Sequence, residues 1–237
     1  MTRSGGSAKN RGRQSAADRL WTLWPIFWPI ARGPETDPTA AAQMADSFIQ
    51  VKKVQGVLLM MQIYYQDQSL LIRSMLESDI DAFSSGFRDQ GWDKPREQFV
   101  RYFQEQELGT RLIFVAEYEG QTAGYVNLMP SATSGPFAGQ NIPEIVDFNT
   151  LIRFQGKGIG NRLLDVAEAM AARTSPVVSL GVGLHAGYGT AQRMYVKRGY
   201  IPDGSAVWYR GQRLAPGAAC LNDDDLVLYL SKDLTQS

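Results

Sequence analysis

Gln155-Gly156-Lys157-Gly158-Ile159-Gly160 is the stretch whose residue types and spacing most directly imply chemistry. Three glycines so close together let the backbone turn tightly and bring its amides up to a ligand that side chains would otherwise hold off. Leu163, Val166, Ala167 and Met170 follow at helical spacing, so the turn opens a helix. Unpaired N–H groups and the positive end of the helix dipole then meet at one point, which makes an anion site, most naturally for phosphate.

Spacing separates the owners of such a cradle. A P-loop needs Gly-Lys-Ser/Thr at its end, whereas Lys157 here precedes Gly158 and no Ser or Thr follows. The dinucleotide fingerprint needs its third glycine three places after the second, and Gly160 comes only two places after Gly158. A second segment narrows the choice. Leu180, Val182 and Leu184 alternate with Gly181 and Gly183 as in a strand, and Thr190 to Gly199 then reads as a short helix. Thr190 suits its N-cap, Gly199 its stop, and Lys197 and Arg198 complement its negative end, while Ala191, Met194 and Tyr195 share one face.

Gln155 to Gly160 resembles the acyl-CoA pyrophosphate loop, Gln/Arg-x-x-Gly-x-Gly/Ala, of the GNAT N-acetyltransferase family. Ala191 to Tyr200 resembles that family's second motif, Ala-x-x-Leu-Tyr-x-x-x-Gly-Phe. Tyr188 stands where the family has an Asn that helps hold the cofactor, a departure that puts the pantetheine contacts in question. The resemblance implies acetyl-CoA as acetyl donor, a primary amine as acceptor and no metal. It makes Glu144 the first-choice general base, with Asp147 competing. Strand alternation puts those two carboxylates on opposite faces unless a bulge intervenes. It makes Tyr195 the general acid that protonates the departing thiolate. Amides of Phe148, Asn149 and Thr150 would hold the pantetheine, and those of Gln155, Gly156, Lys157, Gly158, Ile159, Gly160 and Asn161 the pyrophosphate.

Periodicity supplies the elements that would position these groups. A strand is read at Leu70 to Arg73, helices at Ser78 to Phe87 and Pro95 to Gln106, and a hairpin at Leu112 to Tyr118 and Thr122 to Leu128 turning through Glu119-Gly120. A Gly/Ser/Pro-rich loop, Ser131 to Pro143, leads to a strand at Glu144 to Ile152, and closing strands follow at Ala206 to Arg210 and Asp225 to Leu230. The order resembles the GNAT fold: an α/β (α+β) domain with a mixed, mostly antiparallel sheet, a splayed parallel strand pair and flanking helices, over residues 66–237. The loop Ser131 to Pro143, with Phe87 and Trp92, falls in regions that line the acceptor side in similar proteins.

Composition narrows the function classes. Lys+Arg and Asp+Glu both number 24, so charge suggests no nucleic-acid partner. Cys220 is the one cysteine and His185 the one histidine, which argues against a structural zinc site, and no Gly-x-Ser-x-Gly elbow accompanies the histidine. His185 reads as a loop or strand-end residue. Residues 1–65 read as a separate extension, either disordered or the product of a start assigned upstream of Met60 and Met61. Its apolar run, Leu20 to Ala31, carries Trp21, Trp24 and Trp28 but is short for a bilayer and broken by Pro25 and Pro29. A membrane partner is therefore disfavoured, although the tryptophans leave a surface anchor open. The expected setting is the cytoplasm, the expected partner an amine-bearing small molecule or protein, and a homodimer is open. A non-catalytic acyl-CoA-binding regulatory module is the alternative reading.

Overall fold

A computed structural model of the chain describes residues 49–54 and 57–235. Ten strands form one sheet: β1 (Ile49–Val54), β2 (Val57–Gln66), β3 (Leu70–Ser74), β4 (Leu112–Tyr118), β5 (Gln121–Met129), β6 (Glu144–Thr150), β7 (Val177–Gly183), β8 (Ile201–Tyr209), β9 (Gln212–Arg213) and β10 (Leu226–Asp233). Their spatial order is β1-β2-β3-β4-β5-β6-β7-β10-β8-β9. Every neighbouring pair is antiparallel except β6 and β7. Among the described residues, four α-helices flank the sheet: α1 (Ser78–Asp89), α2 (Arg96–Glu107), α3 (Ile159–Ala171) and α4 (Gly189–Lys197). The mixed sheet with one parallel pair agrees with the fold class read from sequence.

The sheet also extends upstream of residue 66. β2 pairs with β3 through Ile63↔Arg73 to Gln66↔Leu71, and β1 pairs with β2. Met61 and Ile63 are buried, while Gln62 and Tyr64 between them are less so, which is the period-2 pattern of a half-buried strand. Met60 and Met61 thus lie inside a strand. Residues 1–48, with the Trp-rich run, lie outside the described residues.

Two features of the core bear on the site. Phe83 and Phe87 of α1, Phe99 of α2 and Tyr125 of β5 pack ring against ring, with centroids 4.8 to 6.3 Å apart. This cluster fixes α1 and α2 over the face of β5 that carries Tyr125, and Trp92 stacks on Phe87 at its edge. At the start of α1, Arg73 donates two hydrogen bonds to Asp79, at 2.6 and 2.9 Å, and two to Glu117, at 3.2 and 3.3 Å. Asp79 also accepts the Leu76 amide at 2.7 Å, so the buried Arg73–Asp79 pair, with Glu117, ties β3 and β4 to α1.

The parallel pair is short. Glu144↔Ser179 and Ile145↔Leu180 are its only rungs. Beyond them β6 stays with β5 and β7 stays with β10 along its whole length, so the two strands part. The cause lies in β6. Its register against β5 slips between Tyr125 and Asn127, where Asn149 and Val146 are the partners, and Asp147 takes φ 42°. An extra residue there makes a bulge that bends β6 away from β7. Asp is among the few side chains that tolerate this left-handed backbone.

Candidate functional site

The parting strands enclose a cleft of about 700 Å³. Its walls carry Val146, Asp147, Phe148 and Asn149 from β6, Tyr188, Ala191 and Tyr195 from around α4, and Trp92, Asp93 and Lys94 from the α1–α2 loop. Gly181 and Gly183 lie on the β7 side. A Cβ at Gly181 would stand 2.9 Å from Val227 and 3.2 Å from the Tyr229 ring, and one at Gly183 would stand 2.4 Å from the Tyr188 ring. The alternating glycines are thus places where aromatic rings lie directly on the strand.

At the open end of β6 comes the glycine turn. Gly156 and Gly158 have φ 76° and 79°, and a Cβ on either would meet nothing within 4 Å. Backbone conformation rather than crowding requires glycine at both. Gly158 is the N-cap of α3, and no side chain caps the helix. The first-turn amides are therefore left for an anion. At Gly160 the reason differs, because a Cβ would come within 3.0 Å of the Phe148 ring. Ile159 buries its side chain in the core, so only its amide faces the turn. Gln155 donates from Nε2 to the Thr150 carbonyl at 3.2 Å, which ties the loop back to β6. Lys157 lies over the Tyr118 ring at 5.0 Å.

The two candidate carboxylates have opposite environments. Rung alternation and the bulge put both on the face that carries Tyr125 and Asn127, so the bulge exception applies. Asp147 accepts five donors. Lys94 Nζ at 2.6 Å and Asn149 Nδ2 at 2.7 Å approach Oδ1, while the Tyr125 hydroxyl at 2.7 Å, the Tyr102 hydroxyl at 2.9 Å and Gln98 Nε2 at 2.9 Å approach Oδ2. With its lone pairs so engaged it is a hub that fixes the bulge to α2. Burial, followed by the Asp147 charge, pushes the Tyr102 hydroxyl up to about 12, and the same causes hold Tyr125 above its ordinary range.

Glu144 stands at the closed end of the splay, opposite Ser179, and is 6% exposed. Burial alone pushes its carboxyl up to about 7. It lies two residues deeper along β6 than Val146, which lines the cleft. Across from Val146 is Asn127, fully buried, with neither amide atom partnered among the described residues. Glu144 and Asn127 thus lie on the same face of the sheet, on adjacent strands.

Tyr195 reaches the cleft from α4. Its ring is buried edge-on against Tyr200 at 5.7 Å, and its hydroxyl has no protein hydrogen-bond partner among the described residues. Burial, then the neighbouring Tyr188, raises its pKa. Tyr188 and His185 form a cluster that the sequence does not announce. The Tyr188 hydroxyl donates to Asp224 Oδ1 at 3.0 Å, His185 Nε2 lies 2.8 Å from the same oxygen, and His185 Nδ1 accepts the Gly187 amide at 3.1 Å. Burial, then the Asp224 bond, pushes Tyr188 up to about 12. His185, read as a loop or strand-end residue, comes two residues after β7 and lines the cleft.

Some expected members stand elsewhere. No residue of the loop 131–143 lines the cleft. Ala132 and Phe137 pack with Tyr229 in a small separate core, joined by Ile142, Trp208 and Val227. Phe87 is core, whereas Trp92 does line the cleft. Among the residues missed from sequence, Gly181 and Gly183 carried a signal, since glycine inside a strand marks close approach. Lys94, Gln98 and Tyr102 carried none, because nothing local ties α2 to β6.

Comparison with known proteins agrees with this geometry. The sequence profile of the acetyltransferase (GNAT) domain matches residues 83–216, more than half of the chain. Among solved structures, the chain is similar to the ribosomal-protein-alanine N-acetyltransferase of Brucella melitensis, at 21% identity and TM-score 0.51 over 69% of this chain and 99% of that one. It is similar to yncA of Salmonella typhimurium, solved with its cofactor acetyl-CoA, at 16% identity and TM-score 0.52 over 70% of this chain and 95% of that one. A spermidine N-acetyltransferase SpeG chimera from Vibrio cholerae aligns at 13% identity and TM-score 0.53 over 71% of this chain and 98% of that one. At these identities the likeness is one of fold. No sequence among the curated proteins matches.

Proposed function

Because the chain belongs to the GNAT acetyltransferase family, we propose that it is an N-acetyltransferase that moves an acetyl group from acetyl-CoA to a primary amine by direct attack. The observation that carries this reading is the splay and what lies beside it: a cleft opens where β6 and β7 part, its wall holds a tyrosine hydroxyl with no protein partner among the described residues, and the Phe148 ring of that wall lies against Gly160 in the first turn of α3, a helix that no side chain caps. The residues fit the donor. The amides from Gly156 to Asn161 would take the pyrophosphate, and those of Phe148 to Thr150, freed from β7, would take the pantetheine and polarise the thioester carbonyl.

Glu144 acts as general base through a water near Asn127. A carboxyl poised at about 7 suits that task better than one at its ordinary value. Tyr195 supplies the proton to the leaving sulfur and recovers it from solvent. Asp147 positions rather than reacts, holding the bulge in place through its five donors. Such an enzyme draws on the cytoplasmic acetyl-CoA pool, and we place its action there. Structural neighbours named for a ribosomal protein and for spermidine support an amine acceptor but do not choose between protein and small molecule.

The test is thiol release from acetyl-CoA by the full chain across a panel of protein N-terminal peptides, lysine peptides and polyamines. Release with at least one amine, lost in Glu144→Gln, supports the reading. Acetyl-CoA binding without release for any amine would establish the non-catalytic binding module instead.

A further inference from the structure

Lys94 holds the only side-chain amine or guanidinium among the residues lining the cleft. Its neighbours fix it there. Nζ donates to Asp147 Oδ1 at 2.6 Å and to the Tyr125 hydroxyl at 3.0 Å, and it lies over the rings of Phe87 and Tyr125 at 5.3 and 5.6 Å. The side chain is 20% exposed, so the group is reachable from the cleft. An ammonium carries three N–H groups, and protein acceptors take two of these. Loss of the third leaves a lone pair committed to no protein group. The ion pair also anchors Nζ to the bulge residue, immediately before the Phe148 to Thr150 amides.

We propose that Lys94 is a self-acetylation site, modified by the protein's own acetyl-CoA when no acceptor amine is present. The inference rests on the acetyltransferase reading, since it needs the thioester in this cleft. Nζ first gives one proton to solvent, and its lone pair then attacks the thioester carbonyl carbon. The C–N bond forms, and the C–S bond breaks with its electron pair left on sulfur. The thiolate takes the Tyr195 proton, and Tyr195 is reprotonated by the second proton that Nζ sheds. The balance is one ammonium and one acetyl-CoA giving one acetamide, one free CoA thiol and one proton.

Proximity provides the driving argument. An amine held beside a bound thioester reacts at an effective concentration far above that of a surface lysine meeting acetyl-CoA from solution. The same ion pair must be given up before Nζ can attack, so modification is slow beside transfer to a true acceptor. The product is neutral and ends the Lys94–Asp147 ion pair, which leaves the Asp147 charge facing the cleft.

The experiment is incubation of the full chain with acetyl-CoA and no added amine, followed by peptide mass spectrometry with a protease that does not cut at lysine. One acetyl group is expected on Lys94. Its rate should saturate with acetyl-CoA, should fall when free CoA competes, and should exceed that at exposed Lys197 by about tenfold or more. Lys94→Arg, which keeps the cation beside Asp147, should lose this label and leave the slow surface labelling unchanged. Protection of the fold by CoA in thermal denaturation is measured alongside. If CoA protects but Lys94 stays unlabelled, or labels linearly with acetyl-CoA at the rate seen in the urea-unfolded chain, the inference is overturned and the acetyltransferase reading stands. If CoA gives no protection and Lys94 stays unlabelled, both fall.

Discussion

Glu144→Gln should make the protein less active and, above neutral pH, more stable. Burial holds the Glu144 carboxyl at about 7 against an ordinary 4.5. A raised carboxyl favours the protonated form in the native state. Below pH 4.5 both folded and unfolded chains carry the proton, and the group has no effect. Between 4.5 and 7 the unfolded chain loses its proton first, so stability falls as pH rises. Above 7 the native state carries the full cost of a buried charge. The gap from 4.5 to about 7, at about 1.4 kcal/mol per pH unit, sets that cost at about 3 kcal/mol. About 2.5 kcal/mol of it develops between pH 5 and pH 8. Glutamine has nearly the same shape and does not titrate, so the variant escapes it. Urea denaturation of both proteins at pH 5 and pH 8 measures the difference, with every other titrating group common to the pair. The variant should gain about 2 to 3 kcal/mol on the wild type over that interval. Turnover with the best amine should fall by roughly 10²- to 10⁴-fold. A stability gap that does not change with pH would mean that Glu144 is solvated and not raised, and its assignment as a neutral-pH base would lose its physical ground.

Three further outcomes follow from the geometry. Tyr195→Phe should lower turnover by roughly 10²-fold or more, yet leave stability within about 0.5 kcal/mol, because the hydroxyl has no protein partner among the described residues; thiol release and thermal melts read the two separately, and unchanged turnover would remove the acid role. Gly183→Ala should cost about 1 to 3 kcal/mol by urea denaturation and weaken acetyl-CoA binding, since its Cβ would displace the Tyr188 ring 2.4 Å away. Asp79→Ala strands buried Arg73 without its main partner and should cost about 3 to 5 kcal/mol; chemical denaturation checks it, and a loss below about 1 kcal/mol would show that Glu117 alone can carry the guanidinium.

What could be read directly in the sequence was local. The turn from Gln155 to Gly160 needs positive φ at Gly156 and Gly158, and glycine announces that need wherever the chain goes. The order of strands and helices was legible for the same reason, since periodicity of 2 and 3.6 is a property of neighbours along the chain. The start of the sheet was harder. The strand-like run from Val57 to Gln66 sits next to residues with no such pattern, and only its pairing with β3 makes it part of the sheet.

The surroundings of Glu144 and Asp147 were decided by distance in space. In sequence they are two acids three places apart on one strand. The bulge at Asp147 puts both on one face, and α2 then brings Gln98 and Tyr102, with Lys94 just before it, onto Asp147. Glu144 receives no such donors and is raised by burial instead. A carboxyl's proton affinity depends on what surrounds it, and those surroundings come from parts of the chain far apart in sequence. The sequence therefore determined the kind of backbone cradle this protein would build. Only the tertiary structure decided how each acid is surrounded, Asp147 by five donors and Glu144 by burial without them, because desolvation and hydrogen bonding are properties of the packed molecule.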